Sequence, residues 1–334
     1  MAFTTSAGYA NLPSGNFTPS IFSQKVLKFF RRASVAEDIT NTDYAGEIEN
    51  YGDTVNIIKE PTITVSAYQR GAVVNPQDLA DDQITLVVDQ ANAFAFKIDD
   101  IEERQSHINW EALSTSSGAY SLKRKYDYNI LQQMSDAAGI GGSAVSGTTL
   151  TTTDASGLGT ANAPINVETD DNGINLMLAM ARHLDDQSVP EENRWFVAPP
   201  KFYEKAFQAG NKIAEVQVTG DDSSPLRNGL AMRGTLAGFR CYKSTVLNST
   251  GGTDQVTLTD ASATLATDSS EHIVLAGHMS STATASHIAK TEVIRDPNSF
   301  ADIVRGLHVF GRKVIRGSGT GYKGVFKGLM DLDS

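Results

Sequence analysis

The amino-acid sequence predicts an α+β fold organised around one long helix and one long β-hairpin, and three patterns support this prediction. Apolar residues recur at steps of three and four through residues 101–137 with no intervening proline, which is typical of a helix. Residues 54–58, 62–68 and 83–89 alternate apolar and polar side chains, as strands do. The first twenty residues contain two glycines and two prolines, which favours an extended arm over a packed element.

The segment after this arm predicts a short helix from about Pro19 to Ala36. Its apolar residues fall near i, i+4 and i+8 spacing, whereas one edge of the helix is basic. A basic run of this kind is either a solvated face or a contact surface for an acidic partner. An extended arm needs a surface to lie on, which indicates neighbouring subunits. The basic edge comprises Lys25, Lys28, Arg31 and Arg32.

The alternating segments are expected to pair as a hairpin that turns at Gln69-Arg70-Gly71, because glycine adopts positive φ readily. With roughly 15 residues a side at about 3.3 Å per residue, the hairpin would reach about 50 Å. A lone two-stranded hairpin is marginal in water. One of this length therefore requires an outside partner.

The long helix is expected to follow a strand that contains Phe94, Phe96 and Ile98 and ends at Asp99-Asp100. At about 1.5 Å per residue this spine helix, residues 101–137, would be about 55 Å long. A helix of that length is expected to cross the whole molecule. Its stripe is Ile101, Gln105, Ile108, Ala112, Thr115, Ala119, Leu122, Tyr126, Ile130 and Met134.

A second lobe is expected from about Ile165. Its first helix would be capped by Asp170 or Asp171 and ended by Pro190. The expected buried stripe of that helix is Ile174, Met177, Leu178, Ala181 and Leu184. Strands are expected at 195–198, 234–246, 271–277 and 303–309, a short helix from Pro200, and a Ser/Thr/Gly-rich insertion at 248–270.

Composition excludes several classes of protein. The chain has 334 residues, 40% of them hydrophobic, and a formal net charge of −11, so a sizeable core is expected but no basic nucleic-acid reader. Its one cysteine, Cys241, excludes a disulfide framework and is expected to be a buried small hydrophobe. No apolar stretch approaches the ~18 residues of a spanning helix. The first residues lack the pattern of a secretory signal, so folding in a reducing cytoplasm is expected.

The sequence predicts no catalytic, cofactor-binding or metal-binding residues. The six histidines are scattered with no metal-ligand spacing. Residues 319–324 (GTGYKG) match a nucleotide-binding glycine pattern, but only ten residues follow them, too few for a helix and a second strand. Residues 168–173 resemble a calcium loop, yet Ala179 occupies the position where a bidentate glutamate is needed. Repeated acidic pairs are better explained as helix caps and turns.

Five stretches of sequence stand in an order that matches one known family. They are residues 51–57 (YGDTVNI), 96–102 (FKIDDIE), 194–199 (RWFVAP), 236–244 (LAGFRCYKS) and 304–311 (VRGLHVFG). In that order they resemble the start of the extended loop, the strand before the spine helix, two axial-domain strands and the last peripheral-domain strand of the major capsid proteins of tailed bacteriophages. The resemblance covers about residues 20–316 and implies the Hong Kong 97-type capsid fold.

The resemblance also implies a division of the chain. Residues 1–46 would be the N-terminal arm with its short basic helix, 47–90 the extended β-hairpin (E-loop), and 91–164 the peripheral domain with the spine helix. Residues 165–276 would be the axial domain with the insertion, and 277–334 would return to the peripheral domain. The expected intersubunit residues are Tyr68, Gln69, Arg70 and Gly71 at the loop tip, and Lys25, Lys28, Arg31 and Arg32 on the arm.

The function implied by the resemblance is self-assembly into hexamers and pentamers of an icosahedral virion shell. Double-stranded DNA would be contacted non-specifically, assembly would occur in the host bacterial cytoplasm, and no membrane would be involved. The archetype of the family cross-links through an E-loop lysine, whereas the tip here has none and Lys59 lies well before it, so a non-covalent shell is expected. No long N-terminal extension is seen that could serve as a fused scaffold, so any scaffold is expected to be a separate protein. The resemblance also implies a portal as a partner, with a decoration protein as an optional one.

Two alternatives to a phage capsid protein stay open at this point. An encapsulin-type nanocompartment shares the fold but encloses a cargo enzyme. An adhesin or surface-layer protein would suit the acidic, Ser/Thr/Gly-rich composition, although the missing signal argues against it. An enzyme is not supported by the catalytic inventory.

Overall fold

The computed structural model describes residues 34–44, 54–61, 63–65, 67–71, 73, 76–78, 83–105, 110–138, 165–166, 172–206, 235–247, 271–316 and 324–331. The helices in these ranges are α1 (Ala36–Ile39), α2 (Asp100–Gln105), α3 (Trp110–Ala138), α4 (Asn172–Asp186) and α5 (Pro200–Ala206). The strands are β1 (Thr54–Ile58), β2 (Gln83–Val87), β3 (Gln90–Asp99), β4 (Ile165–Asn166), β5 (Arg194–Ala198), β6 (Thr235–Leu236), β7 (Phe239–Lys243), β8 (Glu271–His278), β9 (Thr282–Arg295), β10 (Ala301–Val314) and β11 (Val325–Asp331).

The strands form three sheets. β1 and β2 pair alone, β3-β10-β9 form a three-stranded sheet, and β4-β11-β8-β5-β7-β6 form a six-stranded sheet. Every pairing is antiparallel except β4 with β11 and β5 with β7. The chain passes directly from the six-stranded to the three-stranded sheet between β8 and β9, through one 3₁₀ turn at Met279–Ser281.

The spine helix α3 joins the two larger sheets through its C-terminal half. Tyr126, Ile130 and Met134 are buried in one cluster with Leu275 of β8 and Phe310 of β10. At ~1.5 Å per residue, its 29 residues span about 44 Å.

One expectation for the spine helix is corrected by the structure. The helix is described as α2 and α3 on either side of residues 106–109, which lie outside the described ranges. Among the stripe residues whose exposure is described, only Tyr126, Ile130 and Met134 are buried, whereas Ala119 and Ile101 are exposed. The reason is that only the C-terminal half is enclosed between the two sheets.

The six-stranded sheet carries a second core on its other face. Leu176, Met177, Met180 and Leu184 of α4 pack there with Phe202 of α5. The expectation that Leu178 belongs to the buried stripe is wrong, because the buried face of α4 is centred on Met177 and Met180 and leaves Leu178 half exposed. The strand predicted at 195–198 is confirmed as β5, which is buried along its whole length, as expected of a central strand covered on both faces.

Two of the longer strands were not anticipated from the sequence, and neither was the two-residue β4. β9 completes the three-stranded sheet beside β10, and β11 pairs with β8 and β4 in the six-stranded sheet. The described residues after β8 therefore contribute to both of the larger sheets. The insertion at 248–270 and the helix expected at 19–36 lie outside the described residues, except that Ser34 and Val35 precede the start of α1 at Ala36.

Candidate functional site

The base of the hairpin, here called the hairpin root, consists of β1, β2 and Val88 and packs on the three-stranded sheet. Leu86 and Val88 are fully buried against Ala285 of β9 and Val309 of β10. A Cβ atom added at Gly311 of β10 would lie 2.7 Å from the Val87 carbonyl oxygen. The hairpin therefore leaves the subunit from a fixed, closely packed base.

Beyond the root, the hairpin exposes its apolar side chains. Among the described residues between Lys59 and Asp78 none is in a strand, so the ladder expected to continue through Tyr68 ends at Ile58. The two arms are still joined, because the Thr64 amide donates to Gln77 Oε1 at 2.9 Å. The large apolar side chains described on these arms are 67–92% exposed, namely Ile63, Val65, Tyr68 and Val73, and Ile58 at the end of the root is 82% exposed.

The ladder stops there for a physical reason. A two-stranded ribbon can bury little apolar surface unless a further strand or sheet lies behind it, and the three-stranded sheet supports only the root.

The predicted turn is confirmed, with a turn at Arg70 and Gly71 and a φ of +89° at Gly71.

Residues 34–44, here called the arm root, lie at the junction of α3 and β9. Val35, Ala36 and Ile39 are buried in the core cluster of the spine helix. The Asn41 amide donates to the Thr282 carbonyl at 2.8 Å, and the Asn41 carbonyl accepts from the Thr284 amide at 2.9 Å. The segment that follows the N-terminal arm is therefore held by both a helix and a strand.

The first residues of β9 contact both the arm root and the hairpin root. Successive strand residues point to opposite faces: Thr284 Oγ1 lies 3.0 Å from Thr40 Oγ1 of the arm root, whereas Ala283 and Ala285 pack with Leu86 of the hairpin root. The four residues Thr282, Ala283, Thr284 and Ala285 are fully buried. One strand end thus supports the starting points of both extensions.

One end of the three-stranded sheet lies at Asp99 of β3, Arg295 of β9 and Ala301 of β10. This end, here called the sheet tip, carries ion pairs. Arg295 of β9 donates from Nη1 to Asp100 Oδ1 at 2.7 Å and to Asp302 Oδ1 at 3.1 Å. Its hydrogen bond lowers the pKa of the Asp100 carboxyl. Phe300 and Ile101, both largely exposed, lie beside this cluster, so the tip combines charged and apolar surface.

Two further carboxylates on this sheet are paired. Asp296 Oδ2 accepts from Lys97 Nζ at 2.5 Å, and that hydrogen bond holds the pKa of Asp296 well below its usual value. Hydrogen bonds from Lys290 and Arg305 likewise lower the pKa of Glu292. The cations of these pairs are solvent-exposed, whereas the two carboxylates are partly buried, so solvent screens much of each interaction.

The described part of the chain has neither a metal-ligand cluster nor a reactive thiol. No group of three His, Cys, Asp or Glu side chains there is placed to hold a metal ion. Burial raises the pKa of the Cys241 thiol to about 11, which opposes formation of the nucleophilic thiolate. Among these residues no helix is both long and apolar enough for a membrane span.

The structure places the two sets of expected intersubunit residues differently. Tyr68, Gln69, Arg70 and Gly71 are exposed together at the hairpin turn, whereas Lys25, Lys28, Arg31 and Arg32 lie outside the described residues. Sequence reasoning missed the arm root and its contact with Asp127 of α3, where Ser34 Oγ donates to Asp127 Oδ1 at 2.6 Å. The signal in the sequence was weak, a serine before a short helical stretch.

Comparison with known proteins gives a match at the level of structure. No protein-family model and no curated protein matches the chain significantly. A chain from the structure of Mycobacterium phage Che8 superposes with a TM-score of 0.71 at 24% identity, over 93% of this chain and 97% of that one. The capsid structure of cyanophage P-SCSP1u gives 0.67 at 17% identity, over 97% and 98%.

A third match is the mature capsid of bacteriophage PhiM1, with a TM-score of 0.63 at 15% identity over 97% of this chain and 98% of that one. All three superpositions extend over nearly the full length of both chains. The fold expected from the sequence is confirmed: the chain adopts the fold found in phage capsid structures.

Proposed function

We propose that this chain is the major capsid protein of a tailed bacteriophage, and that copies of it assemble as hexamers and pentamers into an icosahedral shell around double-stranded DNA. The observation that carries the proposal is the hairpin. It has the fixed root of a folded element, yet its arms expose large apolar side chains. Such side chains are stabilised only when another surface covers them.

The covering surface is a neighbouring copy. The fold match to capsid structures over nearly the whole chain supports this assignment, and closed symmetry gives each hairpin an equivalent neighbour. In this proposal the tip residues Tyr68, Gln69, Arg70 and Gly71 contact the next subunit. The N-terminal arm makes a second contact through Lys25, Lys28, Arg31 and Arg32.

The shell is held by non-covalent contacts. The hairpin tip contains no lysine, and the single cysteine cannot pair within the chain. A net charge of −11 suits a container for DNA, because a strongly basic wall would bind phosphates tightly and hinder packaging. A separate scaffolding protein, a portal and assembly in the host cytoplasm belong to the same proposal.

A structural role accounts for the side-chain inventory better than an enzymatic one. The described residues expose apolar and charged surface at the hairpin and at the sheet tip, and no group of three His, Cys, Asp or Glu side chains among them is placed to hold a metal ion. The encapsulin-type alternative is not favoured, because the matched structures described above come from phages. The presence or absence of a cargo enzyme in purified particles distinguishes the two.

Negative-stain electron microscopy of the purified full-length protein tests the proposal. We expect capsomer rings or shells of uniform diameter, formed with or without a co-expressed scaffolding protein. A protein that stays monomeric at high concentration, under crowding and with the scaffold present, would overturn it. Shells that contain an enzyme in place of DNA would support the encapsulin reading instead.

A further inference from the structure

The arm root is fastened to the spine helix by one buried carboxylate. Asp127 of α3 is 1% exposed. Its Oδ1 accepts from Ser34 Oγ at 2.6 Å and from the Ala36 amide at 3.2 Å, and its Oδ2 lies 3.4 Å from the Val35 amide. Three consecutive residues thus donate to a single side chain that is more than ninety positions away in the sequence.

This contact is of a different kind from the other one between the same elements. Lys123 Nζ of α3 lies 3.0 Å from Glu37 Oε2 of α1, but both side chains are solvent-exposed, and exposed pairs of this type contribute little. Hydrogen bonds to a buried carboxylate are stronger, and loss of the donors leaves a charge in a low-dielectric site. The buried contact is therefore the stronger of these two polar contacts between the arm root and α3.

We propose that Asp127 is the anchor of the N-terminal arm and sets the point and direction at which the arm leaves the subunit. The inference rests on the proposed function for its consequence in assembly. The anchor itself is a property of the single subunit. Release of the anchor removes the hydrogen bonds that hold residues 34–36, whereas the apolar packing of Val35, Ala36 and Ile39 and the bonds of Asn41 to Thr282 and Thr284 of β9 persist.

Hydrogen exchange of the full-length protein at a concentration below assembly tests the anchor. In Asp127→Asn one acceptor oxygen is replaced by an amide group that cannot accept. We expect the amides of residues 35–39 to exchange about tenfold to a hundredfold faster, while β5 and β8 keep their protection. Glu37→Gln is the matched control, since it alters the exposed contact between the same two elements and should leave exchange there unchanged.

A milder variant keeps the test decisive if Asp127→Asn unfolds the whole subunit. Ser34→Ala removes one of the three donors and keeps the carboxylate, so its effect should be local and smaller than that of Asp127→Asn. Exchange at residues 35–39 that is unchanged in both variants would overturn the inference. If Asp127→Asn unfolds the whole subunit, the Ser34→Ala result decides alone.

The consequence for assembly is measured separately. We expect Asp127→Asn to give shells of lower yield and broader diameter distribution than the wild type, as seen by electron microscopy, with Glu37→Gln giving wild-type shells. Uniform Asp127→Asn shells at wild-type yield would show that the anchor does not direct the arm. If the wild type forms no shells, the proposed function fails, whereas the exchange result still decides the anchor.

Discussion

At the scale of single residues, Phe94 shows how closely the spine helix lies on the three-stranded sheet. Its ring lies between Gly118 of α3 and Gly306 of β10: an added Cβ would be 2.7 Å from the ring at Gly118 and 2.3 Å at Gly306. Distances that short require the ring or the helix to move. These glycines are thus needed for space and not for backbone conformation.

We predict that Gly306→Ala destabilises the subunit by about 1–3 kcal/mol, the usual cost of overpacking. Thermal or denaturant unfolding of the subunit measures the effect. In the double variant with Phe94→Ala the two effects should be clearly less than additive, because the smaller side chain removes the clash. Additive effects would show that the ring is not the cause.

The ion pairs of the sheet tip predict a pH dependence with a defined sign. The hydrogen bond from Arg295 lowers the pKa of Asp100 in the folded state, so the pair stabilises the fold above the unfolded pKa of about 3.9. This contribution is lost as pH falls through the lowered folded pKa. Arg295→Gln should therefore reduce the melting temperature slightly at pH 6–7, and the difference from wild type should shrink as pH falls below the unfolded pKa. A difference in melting temperature that persists undiminished in acid would contradict the assignment. At neutral pH, 1 M salt should reduce this difference, because salt screens exposed charges.

At the scale of elements, the strands differ in how well the sequence predicts them. β3 and β10 alternate or contain long apolar runs, and their positions follow from the pattern. β9 begins with Thr-Ala-Thr-Ala-Ser, which lacks large apolar residues. The start of β9 is nevertheless buried, because the arm root and the hairpin root cover its two faces. No local sequence pattern predicts this burial. β11 follows a glycine-rich segment, and Lys327 and Gly328 interrupt its apolar residues, so its sequence shows no strand alternation.

The parts of the candidate site also differ in how well the sequence predicts them. The hairpin turn was predictable because Gly71 supplies the positive φ locally. The early end of the β1-β2 ladder was not, since it depends on where the supporting sheet stops. The contact of Asp127 with Ser34 was equally out of reach, because it joins residues 93 positions apart and neither side chain belongs to a recognisable motif.

The hairpin makes a prediction at this scale. Its arms beyond the root contribute almost no buried apolar surface to the subunit, so deletion of residues 66–73 should leave a soluble, folded subunit that forms no stable shells.

Val65→Ser should likewise change subunit stability by no more than about 0.5 kcal/mol, because Val65 is 92% exposed. Leu86→Ala at the buried root is the contrast and should cost about 2–5 kcal/mol. Circular dichroism melts and electron microscopy make these measurements, and normal shells from the deletion would refute the role of the hairpin.

At the scale of the whole molecule, the subunit combines a rigid body with extensions that start from one place. α3 fastens the two large sheets together, and the end of β9 supports both the arm root and the hairpin root. A displacement of this strand end would therefore move both extensions together. Apolar surface on the hairpin contributes free energy only after assembly, whereas the two cores contribute before it.

This difference predicts two melting behaviours for one sequence. Free subunits should unfold at a temperature set by the two cores. Assembled shells should unfold at a higher temperature, because partner binding stabilises only the folded subunit. Diluting the free subunit should leave its melting temperature unchanged. The deletion of 66–73 should melt like the free subunit even at high concentration. Calorimetry of separated free and assembled fractions measures both transitions, and identical melting temperatures in the two fractions would mean that neighbouring copies do not cover the apolar arms of the hairpin.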